Sequence, residues 1–257
     1  MPRPSARAVI APALFAGALL TVSACSVSWP QRAATAGPAS PAAPSGGTRA
    51  PAAAPTLTEG QARAALITEA DLGEPWTPTE GFATWRDTML KATTDSAECR
   101  RLLDVLYAED LFGPDARTRA STALDDPWDE AQLRYRIVAH RPEDVDATLA
   151  WLGTLPDACG QFTATARGGH LEVEVGKAEM PQVGEARQGL RIVLRGVSEA
   201  DDAPTLTLHL AAVRVGDDAI TVTNGGLAEV PADATWAAVE LGAHRLAEVR
   251  KQGRQDV

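Results

Sequence analysis

The sequence predicts an α+β fold, a single domain in which helices pack on a mainly antiparallel β-sheet. Three observations predict it. Segments with apolar residues at alternate positions, typical of strands that bury one face, fill much of the second half of the chain. Several of them follow one another with short turns between, which favours antiparallel pairing. Amphipathic helical segments stand before, between and after them, and need a sheet to cover.

The predicted domain spans residues 57–251. Thr58 and Gln61 have the spacing of a capping box, which predicts a helix through about Ile67. A second short helix is predicted to start at Thr68. The domain is therefore expected to open with two short helices.

A third helix is predicted after the segment 95–98, which resembles a capping box with Asp95 as the cap. Its apolar residues recur at the helical spacing i, i+3, i+4, i+7, and they are Cys99, Leu102, Leu103 and Leu106. Cys99 is therefore predicted to face the core.

Two strands are predicted next, over residues 118–124 and 131–139. In the second strand apolar and basic side chains alternate, which places them on opposite faces of a sheet. The apolar face has Leu133, Tyr135 and Ile137, and the basic face has Arg134 and Arg136.

The rest of the domain is predicted to consist of one helix, then four strands, then a closing helix. Pro142 suits the first turn of a helix, which is predicted to end before Pro156. The four strands are predicted over residues 171–175, 190–196, 205–215 and 219–223, with a hairpin turn at 216–218. Asn224-Gly225-Gly226 is predicted to break the chain, and the final helix covers about 232–251, followed by a polar tail over 252–257.

The first 24 residues have the features of a bacterial lipoprotein signal peptide. Arg3 and Arg7 form a basic start, and the apolar stretch 8–22 is too short to span a bilayer. Val22-Ser23-Ala24-Cys25 resembles the lipobox, and this resemblance implies that Cys25 is acylated, for example with palmitate, and becomes the first residue after cleavage. The alternative is an ordinary signal peptide with a chance cysteine.

Residues 25–56 are predicted to be an acylated cysteine followed by a flexible tether. The segment consists mainly of Ala, Pro, Ser and Gly, which cannot bury enough surface to offset chain entropy. We therefore expect a protein lipid-anchored at the extracytoplasmic face of the cell membrane, since two acyl chains hold a protein there without a spanning helix.

The formal net charge of −10 argues against nucleic acid as a partner. The same charge opposes anionic lipid headgroups, so membrane contact is assigned to the lipid anchor. The expected partners are the membrane, through that anchor, and an unknown small molecule or envelope component. The protein is expected to be a monomer without a cofactor.

If Cys25 is acylated, Cys99 and Cys159 remain as one pair in an oxidising compartment, where disulfides are expected. A bridge closing this loop is worth about 4 kcal/mol in the chain-entropy model. Two buried free thiols are the alternative, and a Cys–His nucleophile pair is a third.

The sequence contains no catalytic signature, so no catalytic residue is assigned. His170, Glu172 and Glu174 would share one face of a strand and are weak candidates for a metal site. The favoured interpretation is a solvated outer face, with arginines opposite the acids across the sheet. The acidic segment 125–130 could attract calcium but lacks the spacing of an EF-hand, so a solvated turn is favoured.

Three remaining histidines and five tryptophans complete the candidates. His140, His209 and His244 fall on separate predicted elements, which favours surface or core roles over ligation. Trp76, Trp85, Trp128, Trp151 and Trp236 are candidates to line a groove, with core packing favoured for Trp236.

The order of these features resembles a known family. The carrying features are ALITEADLGEPW (65–76), the cysteine-bearing helix, Cys159 before a strand, the hairpin GDDAITV (216–222) and the closing helix. They resemble the sensor domains found outside the membrane on certain mycobacterial Ser/Thr protein kinases, and the free actinobacterial lipoproteins that share that domain.

Over residues 57–251 this resemblance implies an α/β sandwich with a groove for an unidentified ligand, no catalytic residues, and Cys99 and Cys159 as a structural bridge. The kinase-linked domains have two disulfides, whereas this chain can form one and has no kinase part. Signalling through an attached enzyme therefore does not carry over.

The expected function is a non-enzymatic ligand-binding or sensing module. A carrier that encloses an envelope lipid is the alternative, and an envelope hydrolase with a dispersed site is a further one.

We predict that Cys25→Ala releases the protein into the medium or leaves it uncleaved, because the acylated sulfur is both the anchor and the cleavage mark. Metabolic labelling with a fatty acid and the mass of the N-terminus test this. Normal processing and lipid labelling of the variant would contradict the anchor.

Overall fold

An eight-stranded antiparallel sheet forms the centre of the structure, which confirms the α+β prediction. The structure is a computed structural model that describes residues 57–197, 203–227 and 229–255, and the predicted signal peptide and tether lie outside these ranges. The strands are β1 (Thr77–Pro78), β2 (Arg117–Asp126), β3 (Ala131–Ala139), β4 (Gln161–Ala166), β5 (Gly169–Lys177), β6 (Ala186–Gly196), β7 (Thr205–Val215) and β8 (Asp218–Gly226). Their order across the sheet is β1-β2-β3-β8-β7-β6-β5-β4.

Helices cover both faces of this sheet. They are α1 (Glu59–Ala64), α2 (Glu69–Leu72), α3 (Ala97–Ala108), α4 (Pro142–Ala158) and α5 (Asp233–Gln255), with a π-helical turn over Arg86–Leu90. α3 and α4 pack on one face, mainly over the half formed by β4 to β7. α1 and α5 pack on the other face, over β2, β3, β8 and β7. Each face has its own apolar core because residues along a strand alternate between the two.

The arginines of β3 bind the C-terminal end of α3. Arg134 Nε lies 2.6 Å from Glu109 Oε1, and Arg86 lies 3.0 Å from the same oxygen. Arg136 donates to the backbone carbonyl of Glu109, the residue that ends α3. The basic face predicted for this strand therefore neutralises the negative end of a helix and fixes it on the sheet.

Several helix boundaries differ from the sequence predictions, and α1, predicted to continue to about Ile67, ends at Ala64. The cap of α3 is Ser96 rather than Asp95, since the Ser96 hydroxyl accepts from the Cys99 N–H at 3.5 Å. α4 continues through Pro156 to Ala158. Proline there removes only one N–H donor, and the Cys159 N–H restores the helical pattern by donating to the Leu155 carbonyl at 2.7 Å.

The prediction that Asn224-Gly225-Gly226 breaks the chain is wrong, because β8 continues to Gly226. The glycines occur where strands and turns approach closely. A Cβ on Gly226 would lie 3.0 Å from the Glu130 carbonyl oxygen, and one on Gly225 would overlap the Leu208 side chain. β4 and the short β1 were not predicted, and α5 includes residues 252–255 of the predicted polar tail.

A disulfide joins Cys99 of α3 to Cys159 at the end of α4, with a Cα–Cα separation of 5.6 Å. Both cysteines are buried in the core under these helices. The bond closes a loop between positions 60 residues apart, so it limits the freedom of the unfolded chain, as expected from the sequence. Within the described ranges, no helix is both long and apolar enough to cross a membrane.

The position of α5 depends on a glycine. Gly242 faces the fully buried ring of Tyr135 on β3, and a Cβ there would lie 2.7 Å from Tyr135 Cε2. Leu246 and Val239 of the same helix are fully buried in this core. α5 therefore lies close to the sheet because position 242 has no side chain.

We predict that Gly242→Ala lowers the free energy of unfolding by about 1–3 kcal/mol, because the added methyl group overpacks a closed core. Denaturant unfolding measures this. Gly60→Ala in α1 is the matched control, since a Cβ there meets nothing within 4 Å. The control should be unchanged or up to about 1 kcal/mol more stable; a stabilised Gly242→Ala would contradict the close contact.

Candidate functional site

A cavity of about 320 Å³ lies on the α5 face of the sheet, where α5 begins. Its volume is at the lower end of the range for small-molecule sites. α2 and the following segment form one wall, the β2–β3 turn and the end of β8 form another, and the start of α5 forms the third. The lining residues are Asp71, Leu72, Trp76, Asp126, Asp129, Ala131, Asn224, Val230, Pro231, Asp233, Ala234 and Ala237.

Asn224 is the residue of this lining whose burial needs an explanation. Its exposed fraction is 0%, and neither Oδ1 nor Nδ2 has a hydrogen-bond partner among the residues that the structure describes. In the sheet it lies opposite Leu133 of β3 and His209 of β7. A buried amide with both polar atoms unpaired is rare in folded proteins and costs about 1–3 kcal/mol for each unsatisfied group.

His209 is the cross-strand neighbour of Asn224 on β7 and lies on the same face of the sheet. It is not placed to bind a metal ion. Its Nε2 is 2.8 Å from the Val230 carbonyl oxygen, and burial lowers the pKa of the imidazole. The neutral ring therefore donates from Nε2, which leaves Nδ1 as a buried acceptor without a partner in the described ranges. This bond ties β7 to the segment that leads into α5.

Carboxylates surround the opening. Asp126 is buried, and its Oδ1 accepts the backbone N–H groups of Trp128 at 2.8 Å and Asp129 at 3.2 Å. Asp129 and Asp233 are exposed at the rim. The acidic segment 125–130, predicted to be a solvated turn, covers the end of β2 and the β2–β3 turn. Its residues 127–130 are exposed as predicted, but the buried Asp126 and the exposed Asp129 also line the cavity.

A fourth carboxylate, Asp71, holds the wall in place. Arg245 of α5 binds it through two nitrogens at 2.6 and 2.7 Å, and also donates to the Leu66 carbonyl at 2.9 Å. Asp71 in turn accepts from the backbone N–H of Thr68 at 2.7 Å, so it completes the capping box of α2. The bond to Arg245 lowers the pKa of Asp71 to about 2.

Trp76 supplies the aromatic surface of the cavity and is half-buried. The other candidate tryptophans have different roles. Trp85 is buried in the core under α3, Trp128 is 74% exposed, and Trp236 meets the His209 ring edge-on at 6.0 Å. The Trp151 ring stacks against Arg101 at 3.8 Å.

The structure does not bring His170, Glu172 and Glu174 together as a site. Glu172 and Glu174 line an open pocket of about 340 Å³ on the outer face of β4 to β6, and His170 is not part of its lining. All three are exposed on the outer face of β5, and the described residues include no group of three or more potential ligands placed to hold a metal ion. Glu174 forms an ion pair with Arg195 of β6 at 3.3 Å. This pair agrees with the interpretation of a solvated face.

The other histidines lie apart. His140 Nε2 is 3.6 Å from Asp144, and His244 is exposed on α5. A second cavity, beside Arg134 and Arg136 under α3, has a volume of about 20 Å³, which is room for about one water molecule. The cavity beside Asn224 is slightly smaller than the open pocket beside Glu172 and Glu174, but unlike that pocket it has a fully buried, unpaired polar side chain in its lining.

Comparison with known proteins gives structural neighbours only. No protein-family model matches the chain, and no curated protein matches it. The crystal structure of the extracellular domain of PknH from Mycobacterium tuberculosis aligns with a TM-score of 0.44 and 14% identity, over 77% of this chain and 99% of that chain. A hypothetical protein from Helicobacter pylori has a TM-score of 0.28 and 14% identity, over 47% and 83%. A mutant of the protein Mog1 aligns with a TM-score of 0.25 and 9% identity, over 56% of this chain and 85% of that chain.

All three alignments have TM-scores below 0.5 and identities of 14% or less, so none of them carries an argument about this chain. The function is therefore argued below from the residues of this chain.

We predict that the stabilising effect of Asp71 depends on pH. Because its pKa falls from 3.8 to about 2 on folding, the stabilisation is complete above about pH 5 and is lost as the pH falls towards 2. It amounts to about 2 kcal/mol, of which about half is lost by pH 3.

Urea unfolding of the wild type and Asp71→Asn at pH 6 and pH 3 measures this difference. Asp104→Asn is the control, since Asp104 is exposed on α3, on the opposite face of the sheet. If the difference in free energy of unfolding between wild type and Asp71→Asn is the same at both pH values, the result argues against the ion pair.

Proposed function

We propose that this domain is a non-enzymatic module that binds a small polar molecule in the cavity beside Asn224. The observation that carries the proposal is the unpaired amide at the wall of that cavity. A hydrogen-bonding ligand would satisfy an amide that the fold leaves without a partner. Residues that reduce stability in this way are expected at functional sites.

The chemistry of the lining supports binding rather than catalysis. The lining contains no serine, threonine, cysteine, lysine, histidine or tyrosine, so the aspartates are the only side chains in it that could act as nucleophiles. Two of its carboxylates already have structural roles, since Asp71 binds Arg245 and Asp126 orders the β2–β3 turn. The neighbouring His209 directs its proton to a backbone carbonyl.

We further propose that the module is held outside the cytoplasm by acylated Cys25. The lipobox-like segment supports the anchor, and the tether after it, about thirty residues long, would reach roughly 100 Å if extended. A cavity at that distance is open to solutes of the envelope. The Cys99–Cys159 disulfide fits an oxidising compartment.

We predict that Asn224→Leu stabilises the protein and abolishes ligand binding. Leucine has a similar volume but no polar atoms, so the variant should gain about 1 kcal/mol or more in stability. Native mass spectrometry of the protein as isolated should show a non-covalently bound small molecule on the wild type and none on the variant. Thermal unfolding reports the gain in stability.

Thr235→Val is the matched control. The Thr235 hydroxyl is fully buried and has no partner in the described ranges, but Thr235 does not line the cavity. This variant should also become more stable while it keeps the bound molecule. Loss of stability in Asn224→Leu, or retention of the ligand by it, would contradict the proposed site.

A further inference from the structure

We infer that the cavity beside Asn224 selects a small organic cation, a molecule that carries an ammonium group. This inference rests on the proposed function and specifies the class of ligand. It follows from the charge of the lining, its aromatic wall and the unpaired amide.

The charge of the lining is negative, and only one of its four carboxylates is compensated by an ion pair. Four aspartates line the cavity, and the lining contains no lysine, arginine or histidine. Arg245 neutralises Asp71. The other three, Asp126, Asp129 and Asp233, take part in no ion pair within the described ranges. An entering cation therefore meets three carboxylates and no competing positive side chain.

The apolar part of the lining favours an organic cation over a metal ion. Trp76 offers an indole ring, and aromatic faces attract ammonium groups. Leu72, Val230 and Pro231 add apolar surface suited to the carbon atoms of such a molecule. A divalent metal ion instead needs several oxygens converging on one point, and the described residues have no such arrangement.

Asn224 is the independent observation that points to a ligand. Its Oδ1 would accept a hydrogen bond from an ammonium N–H, and its Nδ2 would donate to a hydroxyl or carbonyl group next to it. The start of α5 has a partial positive charge that opposes a cation, but Asp233 in the first turn offsets it. The site thus combines an attractive rim with a hydrogen-bonding wall.

Calorimetric titration of the purified full-length protein tests the inference with two pairs of probes. Putrescine and choline carry ammonium groups, and butanediol and dimethylbutanol have similar shapes without charge. We expect saturable binding of at least one cation, at least about tenfold tighter than its uncharged counterpart and weaker at high salt.

A pair of double variants with the same change in net charge locates the effect. Asp129→Asn with Asp233→Asn removes the two rim carboxylates and should weaken cation binding by about tenfold. Asp104→Asn with Asp157→Asn changes exposed residues of α3 and α4 on the opposite face of the sheet. This double variant should change the affinity for the cation by less than about twofold.

Three results would overturn the inference: no binding of either cation, equal binding of the uncharged probe, or equal weakening by both double variants. The proposed function is tested separately by the mass of the molecule that Asn224→Leu loses. If that loss occurs and the cations do not bind, the cavity is a binding site for another class of ligand. If Asn224→Leu keeps its bound molecule, the proposed function itself fails.

Discussion

The close packing of α5 on the sheet is the constraint on which the rest of the structure depends. Gly242 lets the helix rest on the Tyr135 ring, and this contact sets the depth at which the start of the helix lies over the end of β8. Arg245, one turn further on, ties the helix to α2 through Asp71. The cavity is the space that remains where these elements meet the β2–β3 turn, so its shape depends on helix packing as well as on the loops of its lining.

Much of the fold follows from periodicity that the sequence shows directly. The bounds predicted for β3 and β7 agree with the structure, because alternation is strong where a strand buries both an apolar face and paired polar side chains. The sequence likewise predicts the buried leucines of α3 and the capping box of α1, since both patterns depend on residues three or four positions apart. Interactions between residues close together in the sequence are therefore enough to predict these elements.

The cavity was harder to predict because its residues are brought together by tertiary structure. Asn224 stands before two glycines, a composition that usually marks a turn, and the close approach of Leu208 and Glu130 that makes glycine necessary in this strand has no local signal. Trp76 is one of four tryptophans whose role the sequence leaves undecided, and only the position of α2 places it at the cavity. An asparagine inside an otherwise apolar alternating strand was the one available signal.

The disulfide lies wholly in the layer formed by α3 and α4, on the opposite side of the sheet from the cavity. Its reduction would relax that layer and leave untouched the contacts among α2, β8 and α5. Reduction of the disulfide would therefore lower the stability of the fold without changing the shape of the cavity. The two faces of the sheet thus separate the covalent cross-link from the cavity.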